Sequence, residues 1–327
     1  MASFRFHGNR WQARIRRKGY PEITDSFLTK LDAERWARSV ESEMDKGHFA
    51  DCIKTQQTTL NEIILRYVQE VTPTMKSAKE DAIRLQAIAR KPIASWSLTN
   101  LNASRIAAYR DERLKQVSNG TVIRELAYLS SIINHARREW GINTLNPVQN
   151  VRKPTSPAGR TRKLSDDEKS KLLQALEPKG RQNIWTKPVV LLALETAMRR
   201  SELLALRWEN LDLVRQTALL PDTKNGSPRI VPLSTAAVEL LMSLPRNIAG
   251  EVFPIKYFTL DAAFKRAVKS AGLANFHFHD LRHTAISAMA EKLPNLIELS
   301  AVTGHKSLSM LKRYYHPSAE NLARKLG

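Results

Sequence analysis

His279-Asp280-Leu281-Arg282 is followed by Gly304-His305 and, nine residues further on, by Tyr314. An imidazole, a guanidinium and a phenol are three side-chain types that can act on a phosphodiester: proton carrier, anion clamp and nucleophile. The spacing puts His279 and Arg282 on one face of a helix start. The tetrapeptide alone is a weak signal, because eight His and 52 Lys+Arg in 327 residues give about one His-x-x-basic match by chance. It also carries a decoy. His279-x-x-x-His283, with His277 nearby, has the spacing of two metal ligands. A zinc-protease helix needs a glutamate after the first histidine, and Asp280-Leu281 stands there instead. With no third ligand set evident, no metal site and no cofactor are expected.

Two further pieces lie upstream. Val189 to Thr196 is apolar enough for a buried helix, and it leads into Ala197-Met198-Arg199-Arg200-Ser201-Glu202-Leu203 with Leu206-Arg207-Trp208. Arg199 falls where one helix gives way to another, and Glu202, three residues on, is spaced to form a structural ion pair with it. Thr217 to Pro221 and Arg229 to Pro232 have the alternation of short strands, and Asp222 to Pro228 joins them, so Lys224 falls on a hairpin loop. This segment opens at Ser165-Asp166-Asp167-Glu168, a capping box.

Before it, Arg152 to Lys163 contains two prolines, a glycine and small polar residues, the composition of an extended linker. Five of its twelve residues are basic (Arg152, Lys153, Arg160, Arg162 and Lys163) and none is acidic. That charge suits a tether that crosses a duplex. The chain as a whole points the same way: its net charge is +20 and its pI about 10.2, which calls for a polyanionic partner. No apolar run approaches the roughly 20 residues of a spanning helix, and no stretch has the charged apolar sidedness of a membrane-surface helix. The single Cys52 excludes an intramolecular disulfide and a multi-cysteine metal site. The first residues lack the apolar core of a secretory signal, so a cytoplasmic, nucleoid-associated bacterial protein is expected.

The first 50 residues are expected to form a small β-β-β-α module. Trp11, Ala13 and Ile15 alternate with Arg10, Gln12, Arg14 and Arg16, so one sheet face is apolar and the other rich in arginine. Gly8-Asn9 and Gly19 mark turns, and a third strand is expected around Ile23 to Phe27. A helix from about Asp32 to Lys46 has Ala33, Trp36, Ala37, Val40 and Met44 as its apolar stripe, with Gly47 as its stop. A twisted sheet with a row of arginines can enter a DNA groove. Residues 58 to 150 are expected to be a helical bundle. Thr59-Leu60-Asn61-Glu62 is a capping box, Pro73 ends the first helix, and helices follow at about Lys79 to Ala89 and Ala103 to Gln116. The strongest stripe is Val122, Leu126, Leu129, Ile132, Ile133, Ala136 and Trp140, stopped by Gly141.

Taken in order, Arg199 to Leu203 with Leu206-Arg207-Trp208, the hairpin Thr223-Lys224-Asn225-Gly226, His279 to Thr284, Gly304-His305 and Arg313-Tyr314-Tyr315-His316 closely resemble the tyrosine recombinase (phage integrase) family. The first 150 residues resemble the arm-type-binding and core-binding domains of integrases. One departure is Ala197, where family members usually carry glycine in the turn before the first arginine.

The resemblance implies a mainly α protein with small β elements: a β-β-β-α DNA-binding domain (1–50), a helical core-binding domain (58–150), a basic linker (151–163) and a catalytic domain (164–327). It implies that Tyr314 attacks a backbone phosphate to give a 3′-phosphotyrosine, that Arg199 and Arg282 clamp the non-bridging oxygens, and that Lys224 protonates the leaving 5′-oxygen. His279 would assist proton transfer from the phenol, and His305 would hydrogen-bond the phosphate. Tyr314 is preferred to Tyr315 because the family pattern places the tyrosine just ahead of a histidine, as in Tyr314-Tyr315-His316, and nine residues after the Gly-His histidine. Implied partners are double-stranded DNA carrying specific recombination sites, three further copies of the chain in a synaptic homotetramer, and accessory DNA-bending or directionality factors. The Ala319, Leu322, Ala323 and Leu326 stripe could cover its own domain or dock on a neighbouring copy, and the neighbour is expected because recombination requires a synaptic tetramer. An integrase is the first expectation and a shufflon-type DNA invertase the alternative, with a non-catalytic DNA-binding regulator on the same scaffold as the reading of a different class. A type IB topoisomerase shares the chemistry, but the integrase-like N-terminal module argues against it.

Overall fold

The structure is a computed structural model that describes residues 2–45, 58–178, 183–221, 228–315 and 319–327. Lys224, Cys52, Gly47 and His316 lie outside the described residues. The chain divides into two compact units, residues 1–158 and 159–327.

The first unit begins with an antiparallel sheet of β1 (Ala2–His7), β2 (Arg10–Ile15) and β3 (Ile23–Phe27) in sequential order. The β1–β2 connection is two residues long and pairs His7 with Arg10. Gly8 and Asn9 both have positive φ, as a tight right-twisting hairpin requires. Ala13 and Ile15 are fully buried under α1 (Lys30–Asp45), whose Ala37 and Met44 complete a small core with Trp36 and Val40 packed on it. The helix thus starts two residues earlier than expected. On the opposite sheet face Arg14 and Arg16 are exposed, but each is paired with the same carboxylate, Glu22. Those two guanidinium groups hold the Glu22 carboxyl below its ordinary range.

The bundle consists of α2 (Leu60–Glu70), α3 (Ala78–Ala89), α4 (Ala103–Leu114) and α5 (Asn119–Glu139). Thr59 accepts from the Glu62 amide at 3.2 Å and Glu62 accepts from the Thr59 amide at 3.1 Å, which closes the capping box at the start of α2. Pro73 lies in a short 3₁₀ turn beyond the helix end. The α5 stripe from Val122 to Ala136 is fully buried against Leu60, Ile63, Ile64, Leu85 and Ile106. Gly141, at φ +63°, turns the chain out of α5 as its sequence position suggested.

The second unit is built on α6 (Asp166–Ala175), α7 (Thr186–Thr196), the single-turn α8 (Arg200–Leu204), an antiparallel sheet of β4 (Leu211–Asp212), β5 (Thr217–Leu220) and β6 (Arg229–Pro232), then α9 (Thr235–Met242), α10 (Tyr257–Ser270), α11 (Phe278–Lys292), α12 (Leu296–Thr303) and the terminal α13 (Ala319–Leu326). Helices α9, α10 and α12 have no counterpart among the elements expected from the sequence. The main core runs through α7, β5, β6, α9 and α10, and includes Val189, Leu192, Ala218, Val231, Leu241, Phe253 and Phe264. A second, smaller core gathers Ala197, Ala285, Ile286, Ala290, Leu299 and Leu311, with the Tyr314 ring packed against it. The fold is mainly helical with two small antiparallel sheets, as expected. No described helix is long and apolar enough to cross a membrane.

Candidate active site

Four chain segments bring the site together, and each is positioned by local backbone chemistry. The first is the α7–α8 turn. Ala197 ends α7 at φ +52°, in the left-handed region, with its methyl fully buried. The family's glycine at this place therefore has a physical reason, and alanine meets the same geometry against a local strain of about 1–2 kcal/mol. The turn leaves Arg199 extended at the start of α8. Its backbone N–H donates to Glu202 at 2.8 Å and its guanidinium donates to the other Glu202 oxygen at 2.7 Å.

Glu202 holds a second guanidinium. Arg229, the first residue of β6, donates to it at 2.8 Å, and the Glu202 side chain is only 2% exposed. The carboxylate therefore sits between two arginines and fixes both. Burial, with Arg199 close by, pushes the Arg229 guanidinium below its ordinary value. Its Nε and Nη1 are buried with no hydrogen-bond partner among the described residues.

The second segment is the start of α11, which packs on α7. His277 caps the helix: its amide donates to Asp280 at 2.8 Å. Asp280 is fully buried and also accepts from Arg160 at 2.9 and 2.7 Å. Burial raises the Asp280 carboxyl, but the Arg160 bonds and the capped amide outweigh it and hold the group below its usual range. One turn along, Arg282 is 4% exposed and donates to the carbonyl oxygens of Ala197 and Thr303, the latter at 2.6 Å. It thereby ties α7 to the end of α12. Burial and the charge of Arg199 push it down to about 10, so it remains a cation at neutral pH.

The third segment is the end of α12. Gly304 caps the helix at φ +69°, and a Cβ there would lie 1.7 Å from Arg229 Nη1. Any other residue would have to hold a left-handed φ and displace the Arg229 side chain. His305 follows, with Nδ1 2.7 Å from Thr303 Oγ1. The Thr303 hydroxyl spends its one hydrogen on the Leu299 carbonyl oxygen, so His305 Nδ1 is the donor and Nε2 is the position that titrates. Burial, together with Arg282 and Arg199, pushes His305 down to about 4.

The fourth segment is the 3₁₀ turn Lys312–Tyr314, which lies on α11. The Tyr314 hydroxyl is hydrogen-bonded to Nδ1 of His283, and the two rings stack with centroids 5.8 Å apart and planes 26° from parallel. Burial raises the Tyr314 phenol even though Arg313 and Arg282 pull it down. The His279 and His283 rings lie nearly perpendicular with centroids 5.3 Å apart, and burial with the neighbouring His283 and Arg282 lowers His279.

Arg199, His279, Arg282, His305 and Tyr314 thus come from four separate segments, knitted by Glu202, Ala197 and Thr303. Sequence reading missed His283 and Arg229. The first was set aside with the metal decoy; the second stands just past the hairpin loop, where nothing local marks it. Of the basic residues expected to touch DNA, Arg10, Arg152 and Lys163 are exposed. Lys153 is also exposed, while Arg160 is anchored on Asp280 and Asn275 and Arg162 on Glu168 and the Lys163 carbonyl. Arg160 and Arg162 are therefore part of the structure of the second unit and not a loose charged tether.

The model of the phage integrase family matches residues 162–321, and that of the phage integrase N-terminal domain matches residues 56–154. A putative integrase/recombinase of Haemophilus influenzae is 36% identical over all of this chain and 91% of its own length. A shufflon-specific DNA recombinase of Escherichia coli is 40% identical over 84% of this chain and 73% of its own. Among solved structures, the Tn1549 transposon integrase in complex with a circular intermediate DNA superposes with a TM-score of 0.67 at 15% identity, over 83% of this chain and 99% of that one. A lambda integrase tetramer bound to a Holliday junction superposes at 0.63 and 22%, over 93% and 95%. At those identities the structural likeness establishes the fold.

Proposed function

Because the chain belongs to the phage integrase family of tyrosine recombinases, we propose that it cuts and rejoins double-stranded DNA at specific sites, with Tyr314 as nucleophile. The observation that carries this reading is the approach of the Tyr314 hydroxyl to a histidine of the same helix that presents the buried Arg282. Tyr314 Oη attacks a backbone phosphorus, giving a 3′-phosphotyrosine and a 5′-hydroxyl end. Arg199 and Arg282 clamp the non-bridging oxygens, where paired planar donors match phosphate geometry and oppose the charge that develops. Both are already fixed by Glu202 and by backbone carbonyls, so little reorganisation accompanies the step. His305 contributes a further hydrogen bond to the phosphate, and a bound phosphate dianion or diester would oppose the arginine field that now depresses its protonation. Lys224 is assigned the proton for the leaving 5′-oxygen. The phosphotyrosine conserves the energy of the broken bond, so religation needs no nucleotide triphosphate.

The α2–α5 bundle is assigned to the DNA around the exchange point, the β1–β3 sheet to DNA outside it, and four copies of the chain to the synaptic assembly. Lambda integrase has been seen as a tetramer on a Holliday junction, which supports the last assignment. Integration of a mobile element is the first biological reading. Inversion is favoured by one specific observation, the 40% identity to a shufflon-specific recombinase. A nicked duplex that traps covalent protein–DNA complexes tests the chemistry: Tyr314→Phe should bind as the wild type does and form no adduct. An adduct surviving in Tyr314→Phe would overturn the assignment. A reporter plasmid with paired sites in direct or inverted orientation then separates the two biological readings.

A further inference from the structure

We propose that His283, and not His279, is the group that takes the phenolic proton from Tyr314 as the phosphotyrosine forms. The inference rests on the reading of Tyr314 as nucleophile. The Tyr314 hydroxyl meets Nδ1 of His283 directly, and the rings lie face to face. His279 stands one turn earlier, its ring nearly perpendicular to that of His283. Proton transfer in the transition state requires hydrogen-bond reach first and a matched acidity second. His283 satisfies the first without any movement of α11.

The second condition is also met. A phenol can donate to Nδ1 only if the neutral ring carries its hydrogen on Nε2. Burial, with Arg313, Arg282 and Arg160 nearby and only Asp280 opposing, lowers His283 and so favours the neutral ring that can accept a proton. Once protonated, it lies next to the buried Asp280 carboxylate, which stabilises the imidazolium. The groups that face it are therefore Tyr314, His279, Asp280, Arg282, Arg313 and Arg160. In the step, the Tyr314 O–H bond breaks and its proton goes to His283 Nδ1. The oxygen electron pair forms the new bond to phosphorus. The bond from phosphorus to the 5′-oxygen breaks, and that oxygen takes a proton from a different donor, assigned above to Lys224. Nothing is oxidised or reduced.

The experiment is single-turnover adduct formation by the full-length protein on a nicked duplex, measured from about pH 6 to 9. Two versions of the duplex are used, one with an ordinary scissile phosphate and one with a 5′-bridging phosphorothiolate, whose thiolate leaves without protonation. His283→Asn keeps a polar atom near the Nδ1 position but removes the base; His283→Ala removes both. Thermal melting and gel-shift affinity confirm that each variant is folded and bound. Adduct formation by His283→Asn should fall about 100-fold at pH 7 on both duplexes, the usual worth of a general base. Its rate should then climb tenfold per pH unit where wild type has levelled off, as phenolate forms in solution equilibrium. A wild-type rate and pH profile in both variants would overturn the proposal. So would a loss rescued by the phosphorothiolate, which would assign His283 to the leaving group, or a pH-independent loss, which would make its role structural. If Tyr314→Phe still forms adduct on the same duplex, it is the nucleophile assignment that fails, and the two failures are distinguishable.

Discussion

Glu202 is the residue on which the guanidinium cluster depends. Its carboxylate is the one described anion bonded to both Arg199 and Arg229, and it is almost wholly buried. Removing one partner from a buried charged network leaves the others uncompensated, at a cost of about 3 kcal/mol. Glu202→Gln keeps the shape and loses the charge, so urea unfolding should show a loss of about that size. Adduct formation should fall as well, because Arg199 loses the bond that aims it. The Arg199–Glu202 pair was legible from the three-residue spacing in the sequence. The pair forms as that spacing suggested, and the same carboxylate also accepts the Arg199 backbone N–H. Arg229 was not legible: it reaches Glu202 across 27 residues of chain, and a basic residue opening a strand carries no local mark of that. The same holds for His283 and Tyr314, 31 residues apart and joined only when the Lys312–Tyr314 turn settles on α11.

At the scale of elements, the site is made of helix ends. Arg199 opens α8, the His277–Asp280 box opens α11, and Gly304 closes α12. Ends leave backbone N–H and C=O groups without intrahelical partners. Here the site side chains supply the partners: Arg282 binds carbonyls at the ends of α7 and α12, and Asp280 binds the His277 amide. Gly304 is the most exacting of these positions. Gly304→Ala places a methyl into Arg229 and holds a left-handed φ against the Cβ, which alone costs about 1 kcal/mol. The melting temperature should fall, and adduct formation should fall further than stability explains, because Arg229 and His305 flank that residue. Equal melting and equal activity would mean that the arginine has room to move. Caps and stripes made the bundle helices and the opening of α6 readable from sequence. Helix α10 was missed although Leu260, Phe264, Ala267 and Val268 form a buried stripe, because Lys256 before it makes no side-chain cap bond and gives no punctuation.

Over the whole molecule, a net charge of +20 makes any DNA complex sensitive to salt, since each neutralised phosphate releases counterions. In the three-stranded sheet, Arg14 and Arg16 are exposed and share Glu22, a surface arrangement that a phosphate can displace at little cost. Replacing both with alanine should weaken binding to long DNA and reduce the salt slope by about two. It should leave adduct formation on a short core duplex unchanged. An unchanged slope would remove the sheet from the DNA-binding surface. Composition pointed to a polyanionic partner, and five short motifs in order pointed to the family to which the chain belongs. The relation of Arg160 to Asp280 did not show in composition at all: a linker that looked like a charged tether supplies an arginine to the helix that carries His279, Arg282 and His283.

The most direct test is to trap the covalent complex on a nicked duplex, digest it with protease and nuclease, and locate the nucleotide-bearing residue by mass spectrometry. The expected result is a single modified residue, Tyr314, joined to a 3′-phosphate. Modification of Tyr315 instead, or a 5′-linkage at either tyrosine, would contradict the assignment of the nucleophile and the arrangement of groups around it.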